Sequence, residues 1–408
     1  MQCRFCKTEL KKLFIDLVNS PASNSFLTKA QLNEPEVFYP LKVYTCHKCF
    51  LVQVDEYKKS DAIFNNEYAY FSSYSKSWLQ HAKLYTELMT ARFDLNQKSK
   101  VIEIASNDGY LLQYFQQNAI PVLGIEPTAN TADVAISKGI ETIVDFFGTR
   151  LAKRLAAENT YADLLLGNNV LAHVPDIVDF VAGMEIVLAP HGVITMEFPH
   201  LMQLVDNNQF DTIYHEHFSY LSLYTAKEIF ASQGLEIFDV DELPTHGGSL
   251  RIYAKHTADY TKPISPNVSE LLKKEITKGI NTLVYYDDFQ IKALQIKLAL
   301  LEFLINQKKN GKKIAAYGAA AKGNTLLNYC GIKNDLIEYV VDASPHKQNK
   351  WLPASHIPVV NEKHLIESKP DYVIIFPWNL KDEIMDQLGY IKEWGAKFVI
   401  PVPGLQIL

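Results

Sequence analysis

Val101-Ile102-Glu103-Ile104-Ala105-Ser106-Asn107-Asp108-Gly109 is the stretch whose reading decides the fold of this chain. An apolar, largely β-branched run carrying one acid passes into small residues and turns on Asp108-Gly109 into a helical pattern that opens near Tyr110. A second apolar run, Val122–Ile125, ends in Glu126 and Pro127. Strand, turn, helix and strand in this order predict a parallel α/β sheet. Such a sheet offers its ligand a crevice at the carboxyl ends of the strands, here between the Ser106–Gly109 turn and Glu126. A carboxylate at the end of the second strand accepts two hydrogen bonds at once and suits a vicinal diol. A dinucleotide site also keeps an acid there, but it needs G-x-G-x-x-G in the first turn. Ala105–Gly109 holds a single glycine, which argues against a cradled pyrophosphate.

Outward from this unit, strand and helix patterns alternate from Lys100 to His256. The strands are expected at Val101–Ala105, Val122–Ile125, Thr142–Asp145, Ala162–Leu166, Val193–Glu197, Leu235–Asp241 and Leu250–Lys255. No helical pattern separates the last two, so they are expected to pair as an antiparallel end. Five alternating strands with two terminal ones resemble the seven-stranded sheet of class I S-adenosylmethionine methyltransferases. That resemblance implies that Glu103 and the turn Ser106, Asn107, Asp108 and Gly109 approach the methionine half of the cofactor, and that Glu126 takes the ribose hydroxyls. In Gly167-Asn168-Asn169-Val170-Leu171-Ala172-His173 after the fourth strand, Asn169 would hold the cofactor's ammonium and His173 would face the transferred methyl. A solvated or structural histidine is the plainer alternative for His173.

The polar density peaks in Tyr214-His215-Glu216-His217-Phe218-Ser219-Tyr220, an insertion after the fifth strand and before a helix expected near Thr225. Such a cluster can supply a general base, a carboxylate to orient it and a phenol to meet developing negative charge. A metal site is the rival, since His215 and His217 would share one face of an extended strand, but H-E-x-x-H spacing is absent. A polar loop between domains is the third reading. Thr245-His246-Gly247-Gly248-Ser249, between the last two strands, reads as a tight turn in preference to a loop over the pocket.

Cys3-x-x-Cys6 and Cys46-x-x-Cys49 are two knuckles of the kind that close a tetrahedral four-thiolate zinc shell, with no position left open for catalysis. Their separation requires a hairpin or loop between them. A redox pair is the alternative, and Cys330 stands apart as a core thiol. Residues 60–80 are rich in tyrosine, and Tyr68 and Tyr70 are candidates for lining a sugar pocket ahead of a helix over Ser77–Phe93. Residues 265–310 carry helical patterns such as Ile291–Leu304 and read as a bridge. A further α/β unit opens at Ile314, where Gly318-Ala319-Ala320-Ala321-Lys322-Gly323-Asn324 enters a helix. Its backbone N–H groups, with Lys322 and Asn324, can meet a nucleotide diphosphate, or the unit can be purely structural. Its later strands are expected at Ile337–Asp342, Tyr372–Phe376 and Phe398–Pro401.

Taken together, four cysteines, EIASNDG, GIEP, NNVLAHVPD, YHEHFSYLS and GAAAKGNTLLNY resemble, along essentially the whole chain, the deoxysugar C-methyltransferases that act on nucleotide-linked 4-keto sugars. The resemblance implies a zinc module at 1–75, a methyltransferase core at 76–260, and a helical bridge with a Rossmann-like α/β domain at 261–408. It aligns Tyr214, Glu216 and His217 with the family's Tyr-x-Glu-His segment and leaves His215 in the variable place. His217 is expected to be the base, working near an ordinary imidazole pKa of about 6.5. Glu216 is expected to orient it, Tyr214 and His173 to stabilise the oxyanion, and Tyr220 to meet the substrate. The implied cofactors are S-adenosylmethionine and structural zinc, and the implied substrate is a nucleotide-diphosphate-linked keto-deoxysugar methylated at C-3. An O- or N-methyltransferase and a non-catalytic scaffold protein are the alternatives.

Composition is consistent with these expectations. The chain has 408 residues, 48% hydrophobic and 12% aromatic, enough for more than one core. A net charge of −6 argues against nucleic acid as partner. No apolar run is long enough to span a membrane, and the N-terminus MQCRFCKTEL has no signal-peptide core. A cytoplasmic monomer is expected.

Overall fold

The computed structural model describes residues 1–57 and 71–408, and among them the chain forms three sheets. Tyr68 and Tyr70 lie outside the described residues.

The first sheet is the small N-terminal one. β1 (Lys12–Ser20) pairs antiparallel with β2 (Tyr39–Thr45), which pairs with β3 (Val52–Val54). The two CxxC knuckles flank this hairpin, so the long separation of Cys6 from Cys46 is spent on its two arms. The fourth strand comes from far along the chain, since Ser219–Tyr220 aligns with Gln53 and Val52. The polar insertion is thereby stitched to the cysteine module.

The central sheet contains β4 (Val101–Ile104), β5 (Val122–Ile125), β6 (Thr142–Ile143), β7 (Ala162–Asn168) and β8 (Leu188–Pro199). With Ser219–Tyr220 counted as β9, its last members are β10 (Leu235–Leu243) and β11 (Ser249–His256). The order across the sheet is β10-β11-β8-β7-β4-β5-β6, all parallel except β11, which runs antiparallel to both β8 and β10. Every residue of β4 and β5 is buried, as expected of strands covered on both faces. Gly124 sits in β5 because a Cβ there would come within 2.5 Å of Ser106 Oγ, on the turn that leaves β4. The helix Lys76–Arg92 begins on a Ser75 cap, whose side chain accepts the N–H of Trp78, and packs on this sheet.

Helices Pro266–Lys278 and Phe289–Lys309 form the bridge. Ser265 caps the first, and Gly279 ends it in a left-handed conformation. Buried Glu275 fixes this helix to the core, meeting His200 Nε2 at 2.6 Å and accepting the N–H groups of Leu223 and Tyr224. The third sheet comprises β12 (Ile314–Tyr317), β13 (Val340–Val341), β14 (Val359–Val360), β15 (Tyr372–Ile375), β16 (Lys397–Ile400) and β17 (Gln406–Ile407). It is ordered β14-β13-β12-β15-β16-β17 and is parallel except for β17. No helix among the described residues is long and apolar enough to cross a membrane.

Candidate active site

A cavity of about 620 Å³ opens where the three sheets meet, at the carboxyl ends of β4, β5 and β7. Its first wall is the turn after β4. Ala105, Asn107 and Gly109 all have positive φ (57°, 49° and 74°), so the turn winds tightly enough to face the end of β5. Glu126 lines the cavity there. Its Oε2 accepts the Asn107 N–H at 2.9 Å and its Oε1 accepts the Thr128 N–H at 2.9 Å. Oε1 also accepts the Thr128 hydroxyl, so Oε2 is the oxygen that keeps a lone pair for a ribose hydroxyl, and burial pushes the carboxyl above its ordinary range against those bonds.

The other members of the turn stand behind this wall. Glu103 is fully buried beneath the crevice, not in its lining, and burial raises its pKa well above the carboxylate range, opposed by a bond to Tyr110. Ser106 packs under Gly124. Asp108 holds the turn, accepting from Ser73 Oγ and lying 3.7 Å from Lys138 Nζ. Gly109 packs against Ile140. Of the five expected around the first turn, Asn107 alone reaches the cavity, because alternation along β4 sends Glu103 inward. Asp145, Phe146 and Phe147, after β6, also line it and were not singled out from the sequence.

Across the crevice, after β7, Asn169 is held at φ 56° with its N–H on the Glu197 carbonyl at 2.7 Å. Its Nδ2 meets His246 Nε2 at 2.9 Å. Asn169 Oδ1 and Asn168 Nδ2 are buried at the cavity and have no partner among the described residues. An acceptor of this kind fits an ammonium, and the donor fits a carboxylate. The residues present therefore suit the amino-acid half of S-adenosylmethionine, as Glu126 suits its ribose.

The polar insertion forms the second wall. A turn, closed by the His217 N–H on the Tyr214 carbonyl, brings those two side chains to the cavity, keeps the largely buried Glu216 in its lining, and sends His215 into the protein. His217 Nδ1 lies 2.9 Å from the Thr212 carbonyl, so it carries the proton, and Nε2 accepts the Tyr214 hydroxyl at 2.8 Å. The expected bend is therefore present, but the expected Glu216–His217 pair is not. The Glu216 carboxylate accepts from Asn24 Nδ2 of the cysteine module, at 2.8 and 3.0 Å. Burial, then the nearby charges of His173, His246 and Lys322, hold His217 well below an ordinary imidazole, in place of the near-normal value expected. His173 packs edge-on to His217 with centroids 4.6 Å apart and is lowered to about 4 by burial, opposed by a bond to the Glu216 backbone. His215 faces the Pro40 carbonyl at 3.2 Å, away from His217, so the two do not converge on a metal. Tyr220 is buried in β9 outside the cavity lining, contrary to its expected substrate role, because strand pairing with Val52 turns it inward.

The C-terminal unit supplies the third wall. The first turn of helix Ala321–Cys330 opens on the cavity, with Lys322 Nζ on Asn379 Oδ1 at 2.6 Å and 4.5 Å from the Trp378 ring centroid. Burial lowers Lys322, opposed by the field of Asp211. Asp211 accepts the Trp378 indole N–H at 2.7 Å and is pushed up to about 6 by burial. Asn324 is fully buried away from the cavity, donating to the Ser23 carbonyl at 2.6 Å. It ties the chain beside Asn24, so it is no substrate contact. Asn24 and Trp378 had no sequence signal, since each acts across a domain boundary. His246 had one: a histidine ahead of two glycines, read as turn alone.

The Sγ atoms of Cys3, Cys6, Cys46 and Cys49 lie within 4.8 Å of one another, with Cys3–Cys49 at 3.6 Å and Cys6–Cys46 at 3.5 Å. Zinc–thiolate bonds of about 2.3 Å in a tetrahedron set sulfurs roughly 3.8 Å apart, so the cluster fits zinc. Gln53 Nε2 lies 3.2 Å from Cys3 Sγ, and its Oε1 takes the Arg4 N–H.

This strand order, with an acid facing the cavity after the second strand and open amides across the crevice, defines a class I S-adenosylmethionine-dependent methyltransferase with a four-cysteine zinc-binding module. Residues 3–64 match the family described as a putative zinc binding domain, 77–240 a methyltransferase domain, and 244–403 the C-methyltransferase C-terminal domain. C-methyltransferase NovU of Streptomyces niveus is 33% identical over 407 residues, covering 100% of this chain and 96% of that protein. The chain belongs to this C-methyltransferase family. Among solved structures, the PH0226 protein of Pyrococcus horikoshii OT3 is similar with a TM-score of 0.39 at 13% identity, over 46% of this chain and 95% of that one. A methyltransferase of Anabaena variabilis is similar with a TM-score of 0.37 at 16% identity, over 50% of this chain and 99% of that one.

Proposed function

We propose that this C-methyltransferase acts on a nucleotide-linked 4-keto deoxysugar, removing the proton beside the ketone and methylating that carbon, C-3, in deoxysugar or glycan biosynthesis. The observation that carries the reading is one cavity joining Glu126, the Tyr214–His217 pair and the partly buried ammonium of Lys322. A carbon nucleophile beside a ketone needs, besides a base, a partner for the enolate oxyanion near the methyl donor, which an O- or N-acceptor does not. The partly buried neutral imidazole supplies the base.

His217 Nε2 takes the carbon-bound proton, and the C–H electron pair moves into an enolate. Tyr214 holds Nε2 in direction until the substrate displaces its hydroxyl. Glu216 acts on the same turn at one remove, anchoring it to Asn24 and so to the zinc module. S-adenosylmethionine, when bound, supplies an electrophilic methyl on a sulfonium, held by Asn169 and Asn168 at its amino-acid end and by Glu126 at its ribose. Lys322 and the N–H groups of the Ala321–Cys330 helix face the remaining wall, where a diphosphate would be neutralised.

A panel of nucleotide-linked sugars, with and without a 4-keto group, tests the substrate class. Methylated product is expected from the keto sugars alone, with the new methyl on carbon by NMR. Methyl transfer to oxygen or nitrogen, or equal turnover of sugars lacking the ketone, would refute it.

A further inference from the structure

The turn between β10 and β11 carries more than a turn requires. His246 has φ 54°, a left-handed conformation unfavourable to most residues with a Cβ, although the next two residues are glycines. The strained position is the one that faces the cavity. Its neighbours lock it there. Thr245 Oγ1 donates to Glu197 Oε1 at 2.9 Å, and Gln209 Nε2 donates to the Gly247 carbonyl at 2.7 Å. Gly247 lies so close under Trp378 that a Cβ would meet the indole at 2.4 Å. Trp78 packs edge-on to the imidazole at 5.3 Å.

The tautomer follows from the neighbour. Asn169 turns Oδ1 to the place of an ammonium, which only donates, and so presents Nδ2 to His246. His246 Nε2 must then accept, and a neutral imidazole accepting at Nε2 carries its proton on Nδ1. Nδ1 has no protein partner among the described residues, while the ring lines the cavity beside His217.

We propose that His246 is a catalytic hydrogen-bond donor whose Nδ1–H meets the acceptor's carbonyl oxygen and holds the negative charge that forms there. The assignment rests on the enolate reading above. In the step it serves, the C–H bond breaks, the proton goes to His217 Nε2, and the electron pair passes through the new C=C bond to the oxygen. His246 keeps its proton throughout. When the carbon takes the methyl, the pair returns and the carbonyl re-forms. Burial, with the field of Lys322, lowers the His246 pKa to about 4, so the ring stays neutral and does not repel the sulfonium. A neutral imidazole is also the weaker acid, suited to donating without surrendering its proton.

Glycine and asparagine both accept the left-handed backbone, so H246G and H246N separate the donor from the fold. Exchange of the proton beside the ketone is followed in deuterated water with the nucleotide-linked keto sugar and S-adenosylhomocysteine, alongside kcat, KM and cofactor affinity. H246G is expected to lose about a hundredfold in both exchange and kcat, as removal of one oxyanion donor does, with KM and cofactor affinity within a few-fold. H246N keeps an N–H near the Nδ1 position and is expected to recover most of the loss. Wild-type exchange in H246G, or equal impairment of the two variants, would overturn the assignment while leaving the enolate reading intact. A wild-type protein that neither exchanges nor methylates the carbon would overturn both.

Discussion

His217 packs partly buried against His173, donates Nδ1–H to a backbone carbonyl and accepts the Tyr214 hydroxyl at Nε2, the pattern of a neutral imidazole with its lone pair on Nε2. Its pKa lies below the ordinary value because burial penalises the imidazolium, and its histidine neighbours and the Lys322 ammonium add to the penalty. A base lowered in this way stays competent as pH falls, and fails only when Nε2 is protonated. The acid limb of kcat/KM is therefore expected below the roughly 6.5 of free imidazole. Lys322→Gln removes one of the lowering charges, so it should move that limb upward, toward higher pH. A limb that stays put or moves down in K322Q would contradict the electrostatic account. At this scale Tyr214, His217 and Glu126 could be picked out from residue type and spacing. Glu103 and Tyr220 could not be sorted from them, because side-chain direction depends on strand register. Glu216 looked like the partner of His217 because it is its neighbour in sequence, whereas the turn that opens His217 to the cavity turns Glu216 toward Asn24.

The element that matters most is the short β9, which makes the segment after His217 a strand of the N-terminal sheet. The zinc module thereby reaches the base by two routes, through β3–β9 and through Asn24–Glu216. Arg4, next to the Cys3 ligand, adds a third contact, with its guanidinium on the Pro175 and Val54 carbonyls. Structural zinc contributes folding free energy directly. Chelation is expected to loosen residues 210–220 as well as the cysteine knuckles, which hydrogen exchange would register. Turnover should fall more than tenfold while cofactor affinity holds within a few-fold. Loss of zinc with full turnover and unchanged protection of the 210–220 amides would contradict this coupling. The strands of the central sheet were legible because fully buried parallel strands are continuous apolar runs. Two-residue strands such as Ser219–Tyr220 and Val359–Val360 have no periodicity to read, and they form only because a partner strand is already in place.

Across the whole molecule, three sheets that share one continuous core converge on one cavity. In the proposed reading the central sheet would hold the methyl donor, the zinc module would brace the loop that carries His217, and the C-terminal unit brings Lys322 and a helix terminus to the far side. The contacts that join them are specific: Trp378 on Asp211, Thr325 Oγ1 on the Ile213 carbonyl at 2.8 Å, and Asn324 on Ser23. Long-range pairings of this kind leave no local trace in a sequence, which is why the zinc knuckles and the sheet could be read there and the brace between them could not. The central claim is that the enzyme makes a carbanion-like carbon beside a ketone. Its most direct test is solvent deuterium incorporation at that carbon, followed by mass and NMR for the wild type and for His217→Asn, with the keto sugar present and no methyl donor. The account predicts one deuteron at the methylated position for the wild type and a loss of at least about a thousandfold in His217→Asn, with folding and cofactor affinity intact. Exchange undiminished in His217→Asn, or incorporation at a different carbon from the one methylated, would contradict it.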